Sequence, residues 1–431
     1  MQADLAAAMC GMRDIPEEAC ATVRRGVTDW LGVTIAGSAE PVVARVRAAL
    51  GALGPAEARL LPSGERCSTR NAALINGVAG HVLDYDDVAG DFHPSAVMVP
   101  ALLAEAELIG ATCADLIRGY MAGYETWAAL RSAVEQPLHG AGWHPSSVYG
   151  PLAAAAACAA LHRLDVVQTG HALGLAVAQA GGLVANFGSM AKSFQVGHAA
   201  EAGLLAVRLA RAGVDAAPGA LAGFLANFGG GARAGRIGFG QPDWAILTEG
   251  LDIKAYPICY GAHRLVDAAR QLAIDSDAVE AIDLRLGRIQ SSMLHSHRPR
   301  TVLEAKFSAE FAVAAVLVAG RLGLAEMTES FLARPDLQRL IACCSRSLDD
   351  ELGEPPFSPF DMIKVRLRDG ATVTSGRVRH ATGSRHAPPT RQDAWAKFSD
   401  AAGPHASNRL FDALWTLPPD RPIAALLDAL C

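Results

Sequence analysis

Between residues 14 and 250 apolar positions return every three or four residues, the period of helices that each bury one face. Asp14-Ile-Pro-Glu-Glu reads as a helix start, with Pro16 near the first turn and acids beside it. Cys20, Val23, Val27, Trp30 and Leu31 follow at helical spacing up to Gly37, and 41–50 reads as a second helix. An irregular or hairpin connection over 58–67 leads to the stretch around which the chain is organised. Ser68 or Thr69 can cap a helix whose apolar face includes Ala73, Ile75, Val78, Ala79 and Val82. That helix breaks into a loop carrying Asp84, Asp86, Asp87, Asp91 and His93, and a new helix starts at Pro94. Further helices are expected over 100–109, 113–134, from Pro145 to about Leu164, and over 166–184, 190–212 and 218–228.

After Gly250 the texture changes. A loop around Lys254 feeds a helix near Tyr260, 281–289 alternates like a strand, and 308–322 is helical. Residues 362–367 and 372–378 alternate on either side of Asp369-Gly370, the signature of a hairpin. From Thr390 the pattern is helical again. The expected fold is mainly α with an α+β second domain. An all-helical body spans 1–250 and is completed by 391–431, and a smaller α+β lid spans 251–390. The glycine-rich 229–238 and the return at 385–400 are expected to act as hinges that let the lid close.

The length of 431 residues suits two domains. An apolar fraction of 51%, mean hydropathy of +0.20 and only 6% aromatics describe closely packed small-residue helices rather than an aromatic-rich binding module. A net charge of −6 gives no reason to expect nucleic acid as a partner. The charge-interrupted first residues do not resemble a signal peptide, and the Ala-rich 151–161 is too short to cross a bilayer. Nine scattered cysteines without a CxxC pair fit a reducing compartment. The expectation is a soluble cytoplasmic protein with no membrane partner. Phosphate-loop, HExxH and GxSxG motifs are absent, and no tight ligand spacing supports a metal at Asp84, Asp86, His93 and His144.

The basic residues narrow the chemistry. Of 38, only Lys192, Lys254, Lys306, Lys364 and Lys397 are lysines, so a retained Lys can signal a need for a compact amine. Lys192 and Lys254 sit in Gly-, Ser- and aromatic-rich surroundings, whereas Lys364 and Lys397 read as surface residues. With Asp84, His93, His144 and His263 they form a set of ionisable residues at helix mouths and in loops. Singly, each histidine reads more readily as a hydrogen-bonded structural residue than as a catalyst, and the acidic loop reads equally well as a solvated one. Together they suit removal of a proton α to a carboxylate. That chemistry needs a base, an acid for a leaving hydroxyl, cations for the substrate's carboxylates, and an aspartate to orient an imidazole.

NAALINGVAGHVLDYDD, HPSAVMVPALLAEAE, GYE, GWHPSSVYGPLAAAAA, GSMAKSFQVGHAAEAGLLAVRLA and KAYPICYGAH occur in this order over most of the chain. In these segments it resembles the MmgE/PrpD family, which includes 2-methylcitrate dehydratases, cis-aconitate decarboxylases and iminodisuccinate epimerases. The resemblance implies a homodimer, a small-molecule carboxylate substrate, and catalysis without metal or other cofactor. By motif it assigns Asp84, His93, His144, Lys192, Lys254 and His263 to catalysis, and Tyr256, Cys259, Gln195 and Ser95 to substrate binding. All five of Asp84, His93, His144, Lys192 and Lys254 are expected in one pocket. Several positions depart from the decarboxylase-like pattern: Val88 stands for a threonine, Cys259 for a histidine and Phe311 for a common tyrosine. Gln195 and His198 stand for the usual His and Arg. The expected reaction is dehydration of a 2-methylcitrate-like di- or tricarboxylate. The alternatives are epimerisation of an imino- or aminodicarboxylate, a cis-aconitate-type decarboxylation, and a catalytically silent carboxylate-binding protein.

Overall fold

In the computed structural model the described residues are 1–229, 239, 243–351, 353 and 357–431. The glycine-rich 230–238, to which a hinge was assigned, lies outside them. The buried apolar residues form two clusters. One gathers side chains from Leu5 to Ile253 and takes the chain back between Phe398 and Leu430. The other is built from Tyr256 to Val378.

At the centre of the first cluster the helix Thr69–Val82 is buried on almost every side. Ser68 caps it by accepting the Asn71 N–H. Small residues make this depth possible. A Cβ on Gly77 would lie 2.8 Å from the Cα of Gly197, so Thr69–Val82 and Met190–Arg211 cross backbone to backbone. A Cβ on Gly80 would collide with the Trp30 indole and the Thr34 hydroxyl of Glu17–Gly37. The chain's alanine and glycine content is therefore read out as close approach of helix axes. The site's side chains grow from two of these crossing helices.

The second cluster surrounds a four-stranded sheet in the order Cys344–Asp349, Val279–Gly287, Met362–Leu367, Thr372–Thr374. The first two strands are parallel and the remaining neighbours antiparallel, with the predicted hairpin at the far edge. Helices His263–Ala269, Ala309–Ala319 and Pro335–Ala342 contribute the apolar residues that complete the cluster. The fold class matches the sequence expectation: mainly α, with an α+β part. No helix among the described residues is long and apolar enough to cross a membrane.

Four sequence expectations need correction. The strand Cys344–Asp349 had no apolar alternation to reveal it, because its CSRSLD sequence lies at an edge with no side chain fully buried. The helix expected over 166–184 ends at Val177, and the chain then turns through Gly182 at φ 134° to run beside the site. Pro100 does not start a helix but lies inside Pro94–Ile109. Lys397 is not a surface residue. Its ammonium sits 2.7 Å from Asp29 and donates to the Tyr85 carbonyl at 2.8 Å, tying helix Arg391–Ala402 beneath the acidic loop.

The crossing at Gly197 yields a direct test. An added Cβ would meet the Leu74 carbonyl oxygen at 2.5 Å and the Val78 N at 2.9 Å, both backbone atoms that cannot rotate away. Gly197→Ala should therefore cost about 1–3 kcal/mol of stability. Urea unfolding followed by circular dichroism measures it, and an unchanged midpoint with unchanged slope would refute the crossing.

Candidate active site

Thr69–Val82 ends at Leu83, and the next residue, Asp84, adopts φ +51°, a left-handed conformation uncommon outside glycine. This turn sends the carboxylate inward instead of to solvent. Asp84 Oδ1 receives Lys192 Nζ at 3.1 Å and Lys254 Nζ at 2.6 Å, and Lys254 also donates to the Asp84 carbonyl at 2.9 Å. Lys192 comes from the first turn of Met190–Arg211. Lys254 comes from the crossover between the clusters, which is paired to the acidic loop by reciprocal hydrogen bonds of 2.9 Å between Val88 and Asp252. Burial pushes the Asp84 carboxyl up, but the two ammoniums outweigh it and hold it well below the usual range. For Lys254 burial acts downward and Asp84 more than offsets it, so the amine stays charged.

The acidic loop is a buried cluster. Asp86 is fully buried and lies 3.0 Å from His81 Nδ1 and 2.9 Å from His93 Nδ1. Burial raises its carboxyl and the two facing imidazoles more than compensate, leaving it ionised. His81 Nε2 accepts from Lys192 at 2.9 Å. Burial drives the His81 ring down to about 3 against the pull of Asp86, with Lys192 adding to the drop. His93 is also lowered, first by burial. His144, on the loop before Pro145, is pushed well below its ordinary value by burial and then by Lys192. The imidazoles are therefore neutral at pH 7 beside fixed ammoniums.

These groups face a cavity of about 740 Å³ between the two clusters. Asp84, His93, His144, Lys192 and Lys254 all line it, so the five residues expected in one pocket do converge. Cys259 lines it too, its thiol raised to about 11 by burial. The remaining wall is largely apolar, with Val88, Val184, Phe187, Phe307, Met293 and Phe357. Lys192 Nζ lies 5.1 Å and 5.3 Å from the ring centres of Phe187 and Phe307, an arrangement that favours its charge.

Four predicted residues do not reach the cavity. Ser95 is buried behind it, bound to Asp87 and to Tyr120 at 2.9 Å. Tyr256 donates to Asp267 and accepts from Arg270. His263 packs between Tyr256 and Tyr260, and its Nε2 lies 3.3 Å from Ile258 O. Gln195 lies behind His144, with its Nε2 3.1 Å from His144 Nδ1. Conversely, the sequence reading missed His81 and left Asp86 out of the catalytic set. The signal was there: His81 and Asp84 are three residues apart at a helix end, but His81 sat within a face read as apolar. Lys306 was also passed over. It is buried, donates to the Val82 carbonyl at 2.7 Å, and burial lowers its amine to about 8.

Among the described residues, the group with metal-ligand character is His81, Asp84, Asp86 and His93, with ligand atoms within 4.8 Å of one another; His144 does not belong to it. A cation entering this cluster would meet two ammoniums already on Asp84 and would have to displace them. The donor set therefore does not fit a resident metal well.

Comparison with known proteins gives the wider context. The MmgE/PrpD N-terminal domain matches residues 4–235 and the C-terminal domain residues 256–414. The chain belongs to the MmgE/PrpD family. It is 28% identical over 356 residues to a human cis-aconitate decarboxylase, covering 76% of this chain and 71% of that protein. A cis-aconitate decarboxylase of Aspergillus terreus is 27% identical over 401 residues, covering 84% and 81%. A cis-aconitate decarboxylase-like protein of Aspergillus oryzae is 27% identical over 398 residues, covering 84% and 82%. Of the departures from the decarboxylase-like pattern, Val88 and Cys259 lie on the cavity wall. Phe311 is buried in the second cluster, and His198 stacks on the exposed Phe194. In this MmgE/PrpD chain the cavity thus combines a charged floor with largely apolar walls.

His263 provides a test of the buried-neutral assignment. Its folded value is about 3 against an ordinary 6.5, with burial as the main cause. Between those values the unfolded chain binds a proton that the folded chain does not, so stability falls as pH drops below 6.5. By pH 5 the loss from this residue is about 2 kcal/mol. His263→Phe should remove that share of the acid sensitivity. Denaturant unfolding at pH 7 and pH 5 measures it, and an identical pH dependence in variant and parent would contradict the assignment.

Proposed function

We propose that this protein is a lyase that removes a proton α to a carboxylate of a small polycarboxylate and eliminates water, as in dehydration of a 2-methylcitrate-like substrate. The observation that carries the reading is the pairing, in one cavity, of two ammoniums on a single carboxylate with neutral imidazoles. A neutral imidazole can accept a proton, and the ammoniums stabilise the charge that develops on the substrate carboxylate.

His93 faces the cavity with Asp86 behind it, the arrangement of a base whose imidazolium is stabilised once formed. It takes the α proton. The electron pair of the C–H bond moves towards the carboxylate as an enediolate, whose charge rests against Lys192 and Lys254. Loss of hydroxide from the β carbon then forms the C=C bond and restores the carboxylate. The proton held by His93 passes to that hydroxide, so alkene and water are the products and the side chains return to their starting charges.

A second reading is decarboxylation, favoured by the names of the relatives. The same ammoniums would stabilise the carbanion left when carbon dioxide departs. The hydrophobic Val88 and the thiol of Cys259 on the cavity wall, in place of the polar groups of the decarboxylase-like pattern, weigh against the relatives' own substrate.

Incubating the enzyme with a panel of polycarboxylates in deuterium oxide and following proton NMR separates these readings. Dehydration yields a new alkene signal with no carbon dioxide released. Release of carbon dioxide supports the second reading, and deuterium entry without product supports an epimerase. If every member of the panel stays unchanged, the lyase reading falls.

Lys192 is the most exacting residue. Lys192→Met should lower turnover by about a hundredfold or more, comparable to removal of an oxyanion-stabilising donor. Lys192→Arg should recover little, because a planar guanidinium does not fit the space shared by Asp84, His81, Phe187 and Phe307. Steady-state rates, with circular dichroism to confirm folding, decide it. A Met variant within a few-fold of the parent would remove Lys192 from the mechanism.

A further inference from the structure

The two imidazoles that face the cavity are held by different networks, and the networks demand opposite tautomers. His93 Nδ1 lies 2.9 Å from Asp86 Oδ2 and 3.0 Å from the Asp87 carbonyl oxygen. Both partners only accept, so Nδ1 carries the hydrogen and Nε2 keeps its lone pair. No hydrogen bond to His93 Nε2 occurs among the described residues, and the ring lines the cavity.

His144 is arranged the other way. Its Nδ1 lies 3.1 Å from Gln195 Nε2. The Gln195 amide cannot be reversed. Its Oε1 accepts the Leu183 N–H at 2.7 Å and the Asn186 amide at 3.1 Å, while its Nε2 also faces the Leu183 carbonyl at 3.3 Å. Turning it over would set nitrogen against two donors and oxygen against a carbonyl. Gln195 must therefore donate to His144 Nδ1, which leaves the ring hydrogen on Nε2. That Nε2 is buried and has no hydrogen-bond partner among the described residues. Gln195 lies behind the ring and the ring lines the cavity, which leaves the N–H edge as the part of the ring not bound by protein. A buried donor without a partner is costly unless something else supplies the acceptor.

We infer that Gln195 is a positioning residue that fixes His144 as the Nε2–H tautomer, so that His144 donates to a substrate oxygen opposite the proton-accepting nitrogen of His93. The donor role rests on the function proposed above; the tautomer does not. Burial first, and then Lys192, His81, His93 and His139, disfavour a positive charge on His144. It therefore acts as a neutral donor, the state in which an imidazole can polarise an oxygen without surrendering its proton.

Gln195→Glu tests this with almost no change of shape. A carboxylate keeps both contacts of Oε1 but replaces the donor that faces both His144 Nδ1 and the Leu183 carbonyl with an acceptor, which should draw the ring hydrogen to Nδ1. Nitrogen-15 NMR of the full chain labelled in histidine reads the tautomer directly, with the His144 signals assigned by their loss in His144→Asn. The parent should show the Nε2–H pattern and Gln195→Glu the Nδ1–H pattern. Malonate added as a carboxylate probe should shift the His144 Nε2 signal in the parent and leave it still in the variant. Turnover on an accepted substrate should fall about tenfold or more, with circular dichroism unchanged. An Nδ1–H pattern in the parent, or the same pattern in both proteins, overturns the inference. So does a switched tautomer with unchanged turnover, which would leave the lyase reading standing. Should no polycarboxylate turn over, the lyase reading fails alone, and the tautomer pattern with the malonate shift still decides the role of Gln195.

Discussion

Everything in the site depends on one carboxylate receiving two buried ammoniums. Asp84 follows the end of the central helix, Lys192 stands on the helix that crosses it, and Lys254 lies on the segment that leaves for the second cluster. Removing these charges from water costs several kcal/mol per ion, and only close pairing with further hydrogen bonds recovers it. Asp84 pairs with both lysines, and its backbone carbonyl takes a further bond from Lys254. The arrangement joins the two clusters electrostatically at the cavity, where their apolar residues part.

The neutral histidines follow mainly from burial. Desolvation disfavours imidazolium at His81, His93 and His144, and the nearby ammoniums add to it. Asp86 then serves two rings at once, orienting both by their Nδ1 atoms. Of the three rings only His93 keeps an unengaged ring lone pair, on Nε2, while His81 and His144 have theirs turned to Lys192 and Gln195. Their arrangement fits carbon-acid chemistry better than metal ligation, because the ammoniums already occupy the carboxylate a cation would need.

Above the floor the walls are mostly apolar, and variation within the MmgE/PrpD family has room to act there. Val88 and Cys259 replace polar groups of the decarboxylase-like pattern without touching the Asp84 pairing. Substitution at these positions can change what fits the cavity while the charged groups stay in place.

The periodic pattern of apolar residues was enough to locate most of the helices, the hairpin around Asp369-Gly370 and the split into a helical and an α+β part, because burial of one face is a local property written at a fixed spacing. The family followed from ordered motifs, and five site residues from those motifs. The polar edge strand Cys344–Asp349 escaped, since an edge need not bury alternate side chains. His81, Lys306 and Lys397 were invisible for a different reason. Each looks ordinary among its sequence neighbours and becomes exceptional only beside residues far along the chain: Lys192, the Val82 carbonyl and Asp29. Tyr256, His263, Ser95 and Gln195 lie within the right motifs but point behind the wall, because a motif fixes the backbone's course and the packing of neighbours fixes where each side chain faces. The sequence by itself determined the periodic elements and the family; tertiary structure decided which charges are buried together, since desolvation and Coulomb energy depend on distances that no local spacing specifies.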